Sequence, residues 1–245
     1  MGKEIVGSRF KSENCGWFVV EEYSNCKSVV IKFELTGYVK KVEARNVYSG
    51  LVKDKLHPVV YGVGYLGEGG YVCSKNGENT RVYKTWKGLL SRCYSEKWRS
   101  SNPTYEDCSV CSEWHNFQEF AKYYEANYKE GLQLDKDLLF KGNKLYSEDT
   151  CVFVPAHINS FTIAPVKKAC KYKRGVSYHK RSGTFTARIH DGTGKKEYLG
   201  SFSTEHLAYE AWLSAKLKQA FTYKPEFDRI DERIYNTVLE IIKDL

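Results

Sequence analysis

Basic and hydrogen-bonding side chains are concentrated in one segment near the carboxyl end of the chain. Residues 167–224 contain thirteen Lys and Arg against four Asp and Glu, a net charge of +9, whereas the whole chain carries +8. Positive charge gathered on one small module is typical of proteins that bind a polyanion. The segment therefore predicts a nucleic-acid partner, and the alternative interpretation is a solvated basic face without a ligand.

The same segment has the pattern of a small sheet followed by a helix. GVSYHK, TFTARIH and KKEYLGSF alternate with period two, and RSG and DGTG between them favour turns. This pattern predicts a three-stranded antiparallel meander. Ser203 or Thr204 can serve as the N-cap of the helix that follows. Its apolar stripe, which would cover one sheet face, contains Leu207, Ala208, Ala211, Trp212, Ala215 and Leu217.

Polar side chains on the first two strands alternate with Tyr178, Phe185, Ala187 and Ile189. If the apolar set packs on the helix, the polar set faces outward, where it could enter a DNA major groove. Arg would then reach guanine edges and Lys would reach phosphates. The outward positions are His179, Arg181, Thr184, Thr186, Arg188 and His190.

RGVSYHKRSGTFTARI, followed by KKEYLGSF and an Ala-rich helix, resembles the Apetala-type DNA-binding domain of plant ethylene-response factors, which also occurs in phage and mobile-element endonucleases. The resemblance covers residues 171–222 and implies that the sheet enters the major groove. The implied contacts are Arg174, His179, Arg181, Thr184, Arg188, Lys196 and Tyr198, and Lys180, Thr186, His190 and Lys195 complete the predicted DNA-binding set. Several arginines and tryptophans of that family are His, Thr or Tyr here, so its target sequence cannot be carried over.

The middle of the chain combines two helical patterns with two short apolar strands. TRVYKTWKGLLSRCYS and EWHNFQEFAKYYEANY have helical spacing, and LQLDKDLL and CVFVP predict strands. LQLDKDLL, FKGNKLYSEDT and CVFVPAHINSF resemble the ββα metal finger of HNH nucleases. With WKGLLSRCYS, NPTY, CSVCSEW and NFQEF, the likeness extends over residues 71–163 to HNH-type phage and mobile-element proteins, many of them related to homing endonucleases.

That resemblance implies a DNA-cleaving core in which a base activates water and one divalent ion holds the scissile phosphate. Lys136 stands where such a core would have its histidine base, and a charged lysine neither accepts a proton nor ligates a metal. The finger is therefore either an unorthodox site for Mg²⁺ or Mn²⁺ or an inactive scaffold, and its aspartates could also be surface ion pairs. His115 is either a displaced base or a packed side chain. The implied catalytic set is Asp135, Asp137, Asn143, His157 and Asn159, in which only one of the two aspartates can face the site and either His157 or Asn159 is the ligand from the helix.

Eight cysteines are dispersed along the chain, and no apolar leader accompanies them, so reduced thiols are expected. Cys108 and Cys111 form a C-x-x-C pair, the spacing at which two thiolates share a structural Zn²⁺. Cys93, Cys151 and His115 are the candidates for further ligands, and the predicted zinc set is Cys93, Cys108, Cys111 and Cys151. Isolated cysteines are also often buried simply as small apolar residues.

The sequence as a whole predicts an α+β protein without a membrane span, located inside a cell. The two resemblances imply that this location is the cytoplasm of the host of a phage or mobile element. Four segments are expected: a β-rich accessory module (1–66), a degenerate HNH-like ββα core with helices (71–163), the three-stranded sheet packed on one helix (167–224) and an amphipathic helix (225–245). The last helix would pack on the core or form a homodimer. The predicted function is sequence-directed binding of double-stranded DNA, with cleavage in one version and an inactive regulator or counter-defence factor in the other.

Overall fold

The computed structural model describes residues 3–162, 171–190 and 195–245. It confirms an α+β fold with an N-terminal four-stranded antiparallel sheet and a C-terminal three-stranded antiparallel sheet. Two compact units are present: Met1–Ala126 with Lys144–Ser147, and Asn127–Asn143 with Glu148–Leu245. The HNH-like segment is thus divided, and its ββα part belongs to the unit that holds the C-terminal sheet. No helix within the described residues has the length and apolarity needed to cross a membrane.

The first unit begins with an antiparallel sheet of four strands in sequential order. They are β1 (Arg9–Ser12), β2 (Gly16–Asn25), β3 (Ser28–Phe33) and β4 (Val39–Val42). Alternate residues of β2 and β3 form the core, and Phe18, Val20, Ile31 and Phe33 are fully buried. The β-rich expectation for residues 1–66 misses one helix, α1 (Ala44–Ser49), which buries Ala44 and Val47 at helical spacing.

The helices of the first unit confirm the helical patterns of the middle segment. α2 (Arg81–Tyr94) is capped by Thr80, and α4 (Phe117–Asn127) packs an aromatic core in which the ring centres of Trp86 and Phe117 are 5.4 Å apart. Short elements complete this part of the chain: β5 (Ser74–Lys75), β6 (Glu78–Asn79), α3 (Glu96–Ser101), β7 (Ser109–Val110), β9 (Leu145–Tyr146) and 3₁₀ turns at Lys3–Ile5, Pro103–Tyr105 and Glu113–His115.

The second unit begins with the ββα segment predicted from the sequence. β8 (Leu132–Asp135) pairs with β10 (Val152–Pro155) in an antiparallel register that places Asp135 opposite Val152, and α5 (Ala156–Phe161) follows directly. Leu138, Leu139, Val154 and Ile158 are buried in one core. The predicted strand LQLDKDLL is shorter than expected, because the chain leaves the sheet after Asp135.

The C-terminal meander also has the predicted order. β11 (Val176–His179), β12 (Thr184–His190) and β13 (Lys196–Phe202) form the sheet, and α6 (Glu205–Ile230) covers one face with Ala208 and Trp212. The hydroxyl of Thr204 accepts a hydrogen bond from the Leu207 N–H, which confirms one of the two expected N-caps. Leu207 itself is 44% exposed, so its place in the apolar stripe is wrong. The predicted turn at 191–194 lies outside the described residues.

The last helix packs on its own unit. α7 (Arg233–Lys243) buries Ile234, Val238 and Ile242 completely in the core that contains Phe227 of α6 and the apolar residues of the ββα segment. The hydroxyl of Thr237 donates a hydrogen bond to the backbone oxygen of Leu139, which attaches α7 to the loop after β8. The first of the two expectations for this helix is therefore confirmed. A homodimer through the same apolar face stays a prediction without support.

Candidate nucleic-acid interface

The register of the C-terminal sheet separates its side chains into two faces. Ala187 and Ile189 of β12 are buried against α6, at 0% and 3% exposure. Arg188 and His190 alternate with them and are exposed. We call the face opposite α6 the outer sheet face. Cross-strand pairing places further residues on this face: Ser177 and His179 of β11, Thr184 and Thr186 of β12, and Lys196, Tyr198 and Ser201 of β13.

A β-bulge sets the composition of the outer sheet face. Ala187 pairs with Gly200, but Arg188 pairs with Tyr198, so Leu199 is an extra residue in β13. Without the bulge, Leu199 would lie opposite Arg188 and Tyr198 would turn toward the helix. Instead Leu199 packs in the core, and Tyr198 is 55% exposed with its ring centre 6.0 Å from the Arg188 guanidinium carbon. The bulge therefore places an aromatic ring and a cation side by side.

Hydroxyl groups bind the strands to one another across the outer sheet face. Ser201 donates to Thr184 at 2.9 Å, and Ser177 and Thr186 are 3.3 Å apart. His179 contacts Ser182 through Nδ1 at 3.1 Å. The two threonines predicted to contact DNA thus also fix the relative positions of the strands, which orients the longer side chains between them.

The basic residues of the predicted DNA-binding set do not all lie on the outer sheet face. Lys180 and Arg181 are exposed between β11 and β12, and Lys195 is exposed directly before β13. Arg174 differs, because its guanidinium carbon lies 5.8 Å from the ring centre of Trp212, a buried residue of the core between sheet and helix. Burial lowers the pKa of Arg174. Its geometry indicates a packing role rather than a contact on the outer sheet face.

Three members of the predicted catalytic set lie in one hydrogen-bonded loop around Lys136. Lys136 is 8% exposed, and its Nζ donates to Asp137 Oδ1 and to the backbone oxygen of Asn143, both at 2.6 Å. Asn143 Nδ2 donates back to the Lys136 carbonyl at 2.8 Å. Asp135 accepts hydrogen bonds from the N–H groups of Asp137 and Leu138. Burial raises the pKa of the Asp135 carboxyl, although these two donors oppose the effect.

The other two members have different partners. His157 Nε2 lies 3.1 Å from the Glu226 carboxylate, and Asn159 donates to the Gln133 side chain at 2.6 Å. These side chains therefore have different hydrogen-bond partners, and the Lys136 ammonium group lies between the Asp137 carboxylate and the Asn143 backbone oxygen. This donor set does not fit a divalent ion, and no hydrolytic step through one follows from it. Binding of Mg²⁺ or Mn²⁺ stays a prediction from the sequence.

The predicted zinc ligands are distributed between the units. Cys93, Cys108 and Cys111 belong to the first unit and Cys151 to the second. Burial raises the pKa of the Cys111 thiol and lowers the pKa of His115, whose Nε2 lies 3.1 Å from the Tyr94 hydroxyl. In the part of the chain that the structure describes, no three His, Cys, Asp or Glu side chains are grouped as metal ligands. His115 is thus a packed, hydrogen-bonded side chain, and zinc binding stays a prediction.

One buried cation has no place in the sequence-based site. Lys216 lies on α6 between Trp212 and Ala220, at four-residue spacing along the buried stripe of that helix, and is 8% exposed. A lysine in such a stripe is unusual, because buried lysines are rare without a partner. Its position in the apolar stripe is the sequence signal by which this lysine could have been found.

Comparison of the chain with protein-family models, curated proteins and solved structures finds no match.

Proposed function

We propose that this protein binds double-stranded DNA through the outer sheet face. The observation that carries the proposal is the placement of Arg188, His190, Lys196 and Tyr198 on neighbouring strands, all exposed and on the side opposite α6. A two- or three-stranded antiparallel ribbon has the width to enter a major groove. Arg can then donate to guanine O6 and N7, while exposed Lys side chains contact phosphates.

The charge of the sheet supports a polyanion rather than a neutral partner. Lys180 and Arg181 extend the basic surface at one end of the β11–β12 hairpin, and Lys195 extends it at the start of β13. Glu197 of β13 pairs with Ile189, a residue of the opposite face, so it does not interrupt the row of Arg188 and Tyr198. A row of cations with an exposed aromatic ring is suited to phosphate and base contacts together.

Of the two versions of the function, the non-catalytic one is favoured by the Lys136 loop. The ammonium group is enclosed and donates to the same residues that would have to hold a catalytic metal ion, Asp137 and Asn143. Displacing it would leave a buried charge without its partners, which is costly. We therefore propose a DNA-binding regulator or counter-defence factor in which the HNH-like finger serves as a scaffold.

Selection of bound sequences from random duplexes tests this proposal and separates recognition from cutting. The selected duplex should bind the full chain more tightly than unselected DNA of equal length. Incubating that duplex with the protein and Mg²⁺ or Mn²⁺ should leave both strands intact. Enrichment of no sequence, with no binding above that of unselected DNA, would refute sequence-directed recognition, and metal-dependent nicking that Asp137→Ala abolishes would instead establish the nuclease.

A further inference from the structure

A cavity of about 420 Å³ lies within the second unit. Its volume is in the range of small-molecule sites in proteins. The cavity is formed by β8, α5, the end of β12 and the middle of α6. The lining residues that could contact a ligand include Gln133, Ser160, Phe161, Lys216 and Tyr223.

Lys216 is the most unusual residue of this lining. It is 8% exposed, and its Nζ lies 3.3 Å from the centre of the Phe161 ring, so the ring covers one side of the ammonium group. Among residues 3–162, 171–190 and 195–245, no carboxylate oxygen forms a salt bridge with it. Lys216 also lines the cavity. A buried ammonium of this kind favours an anion that enters from outside.

The charged groups around the cavity identify Lys216 as the position for that anion. Arg174 adds a second positive charge nearby and, together with burial as the larger cause, lowers the pKa of Lys216 to about 8. His157 is already paired with the Glu226 carboxylate. The backbone oxygen of His190 accepts a hydrogen bond from Gln219 at 2.7 Å, which fixes that side of the wall.

The rest of the lining suits a planar, hydrogen-bonding body rather than a bare ion. Phe161 and Tyr223 supply aromatic surface, with ring centres 5.4 Å apart, and Gln133 and Ser160 supply amide and hydroxyl groups. Aromatic side chains stack on nucleobases, and amides hydrogen-bond to their edges. We infer that the cavity binds a nucleotide, with its phosphoryl group at Lys216 and its base among the aromatic and amide side chains. This inference goes beyond the outer sheet face and does not depend on it.

Isothermal titration calorimetry of the full chain with 2′-deoxyadenosine 5′-monophosphate tests the inference. The nucleotide should bind, and deoxyadenosine, which lacks the phosphate, should bind at least about tenfold more weakly because it cannot contact the ammonium group. Lys216→Met keeps the apolar stem and should weaken nucleotide binding by about tenfold or more. Lys218→Met, which removes an exposed charge two residues away, should leave it unchanged. Equal binding by the Lys216 variant, or no binding by the wild-type chain, would overturn the inference.

A measurement on the wild-type chain covers the case in which the Lys216 variant does not fold. In protein labelled with ¹³C-lysine, the Cε resonance reports the pKa of Lys216, and saturating nucleotide should raise that pKa from about 8. Nucleotide affinity should correspondingly decrease as pH rises through that range. The control is the variant Asp191→Asn, at a position outside the described residues, which tests whether the ammonium group has a carboxylate partner within the chain. A pKa that nucleotide leaves unchanged and Asp191→Asn lowers would assign the ammonium to a partner within the chain and refute the inference.

The phosphoryl group could belong to a free nucleotide or to DNA, and competition distinguishes these sources. Displacement of the nucleotide by duplex with a 5′-phosphate, but not by duplex with a 5′-hydroxyl, would assign the cavity to a DNA end. Displacement by both would assign it to an internal phosphate, and displacement by neither would assign it to a free nucleotide. Each of these three results supports phosphoryl binding. The inference would be refuted if the Lys216→Met variant still bound inorganic phosphate and deoxyadenosine separately, because the binding would then not involve Lys216.

Discussion

The salt dependence of DNA binding follows directly from the cations of the outer sheet face and its margins. Five basic side chains are exposed there: Lys180, Arg181, Arg188, Lys195 and Lys196. Each phosphate contact releases condensed counterions, and the slope of log K against log salt is about −0.9 per contact. Arg188 is assigned to guanine, so the other four side chains give a slope of about −3.6, and affinity should fall about 150-fold between about 50 and 200 mM salt. Fluorescence anisotropy with a labelled duplex measures this slope.

Single substitutions measure how much each basic side chain contributes to the slope of log K against log salt. Lys196→Ala should reduce the slope by about 0.9 on every DNA sequence, because one phosphate contact is lost. Arg188→Ala should cost about 1–3 kcal/mol on the selected duplex and less on unselected DNA, since a bidentate contact to guanine discriminates between bases. Lys218→Ala on α6 is the matched control, because it removes an exposed charge from the helix instead of the sheet.

Two results would refute this reasoning. A wild-type slope no steeper than about −1 would mean that the outer sheet face does not contact the phosphates as a group. Equal losses for the Arg188 and Lys218 variants would mean that the position of the charge is irrelevant and that only net charge matters. In either case the function proposed for the sheet would fail.

Three further variants test the packing that supports the two sites. Trp212→Ala should destabilise the chain by about 3–5 kcal/mol in urea unfolding, because its buried ring fills the space between α6 and the sheet. Gly175→Ala should cost about 1–3 kcal/mol, since φ is +75° and an added Cβ would lie 2.0 Å from the Trp212 ring. Burial raises the pKa of Asp135, so the stability it contributes is complete below its unfolded pKa and is lost as pH rises through the folded value. Asp135→Asn keeps an oxygen acceptor and should be at least as stable as wild type at pH 7, with the difference decreasing toward low pH.

Each of the three stability predictions would be contradicted by a specific unfolding result. A change below about 1 kcal/mol for Trp212→Ala would mean that the helix–sheet contact does not contribute to the measured transition. Gly183→Ala is the control for Gly175→Ala, because φ is also positive there but the added Cβ would meet only the Tyr178 hydroxyl at 3.9 Å. If the two glycine variants lost equal stability, the loss would be due to backbone strain alone and the contact with Trp212 would contribute nothing. A strong loss of stability for Asp135→Asn at pH 7 would show that the charge of the carboxylate is needed.

Periodicity predicted the C-terminal meander, α6, α2 and α4, whereas the short elements β5, β6, β7, β9 and α3 were not predicted. The C-terminal meander and its helix were predicted because alternation, turn residues and an N-cap agree with one another. α1 was missed because six residues provide less than two turns of periodic signal. The grouping into units was not predictable, since the core that joins Leu138, Phe227 and Val238 depends on contacts between residues far apart in sequence.

The candidate site was predictable to the extent that strand alternation determines the face. Arg188 and His190 lie where alternation places them, opposite the buried Ala187 and Ile189. Tyr198 reaches the same face through the bulge beside Gly200, which period-two counting does not include. The position of the Arg174 side chain could not be predicted, because Arg174 precedes β11 and strand alternation does not determine which face it lies on.

The Lys136 loop connects the fold of the second unit to its proposed function. One ammonium group links Asp137 to the backbone of Asn143, and Leu138 and Leu139 between them enter the core that α6 and α7 complete. A lysine therefore fixes this loop through hydrogen bonds that need no additional ligand. Because α6 belongs to the same core and also covers the inner face of the C-terminal sheet, the Lys136 loop supports the position of that sheet. The recognition surface that we propose on the outer sheet face therefore does not require a metal ion in this loop.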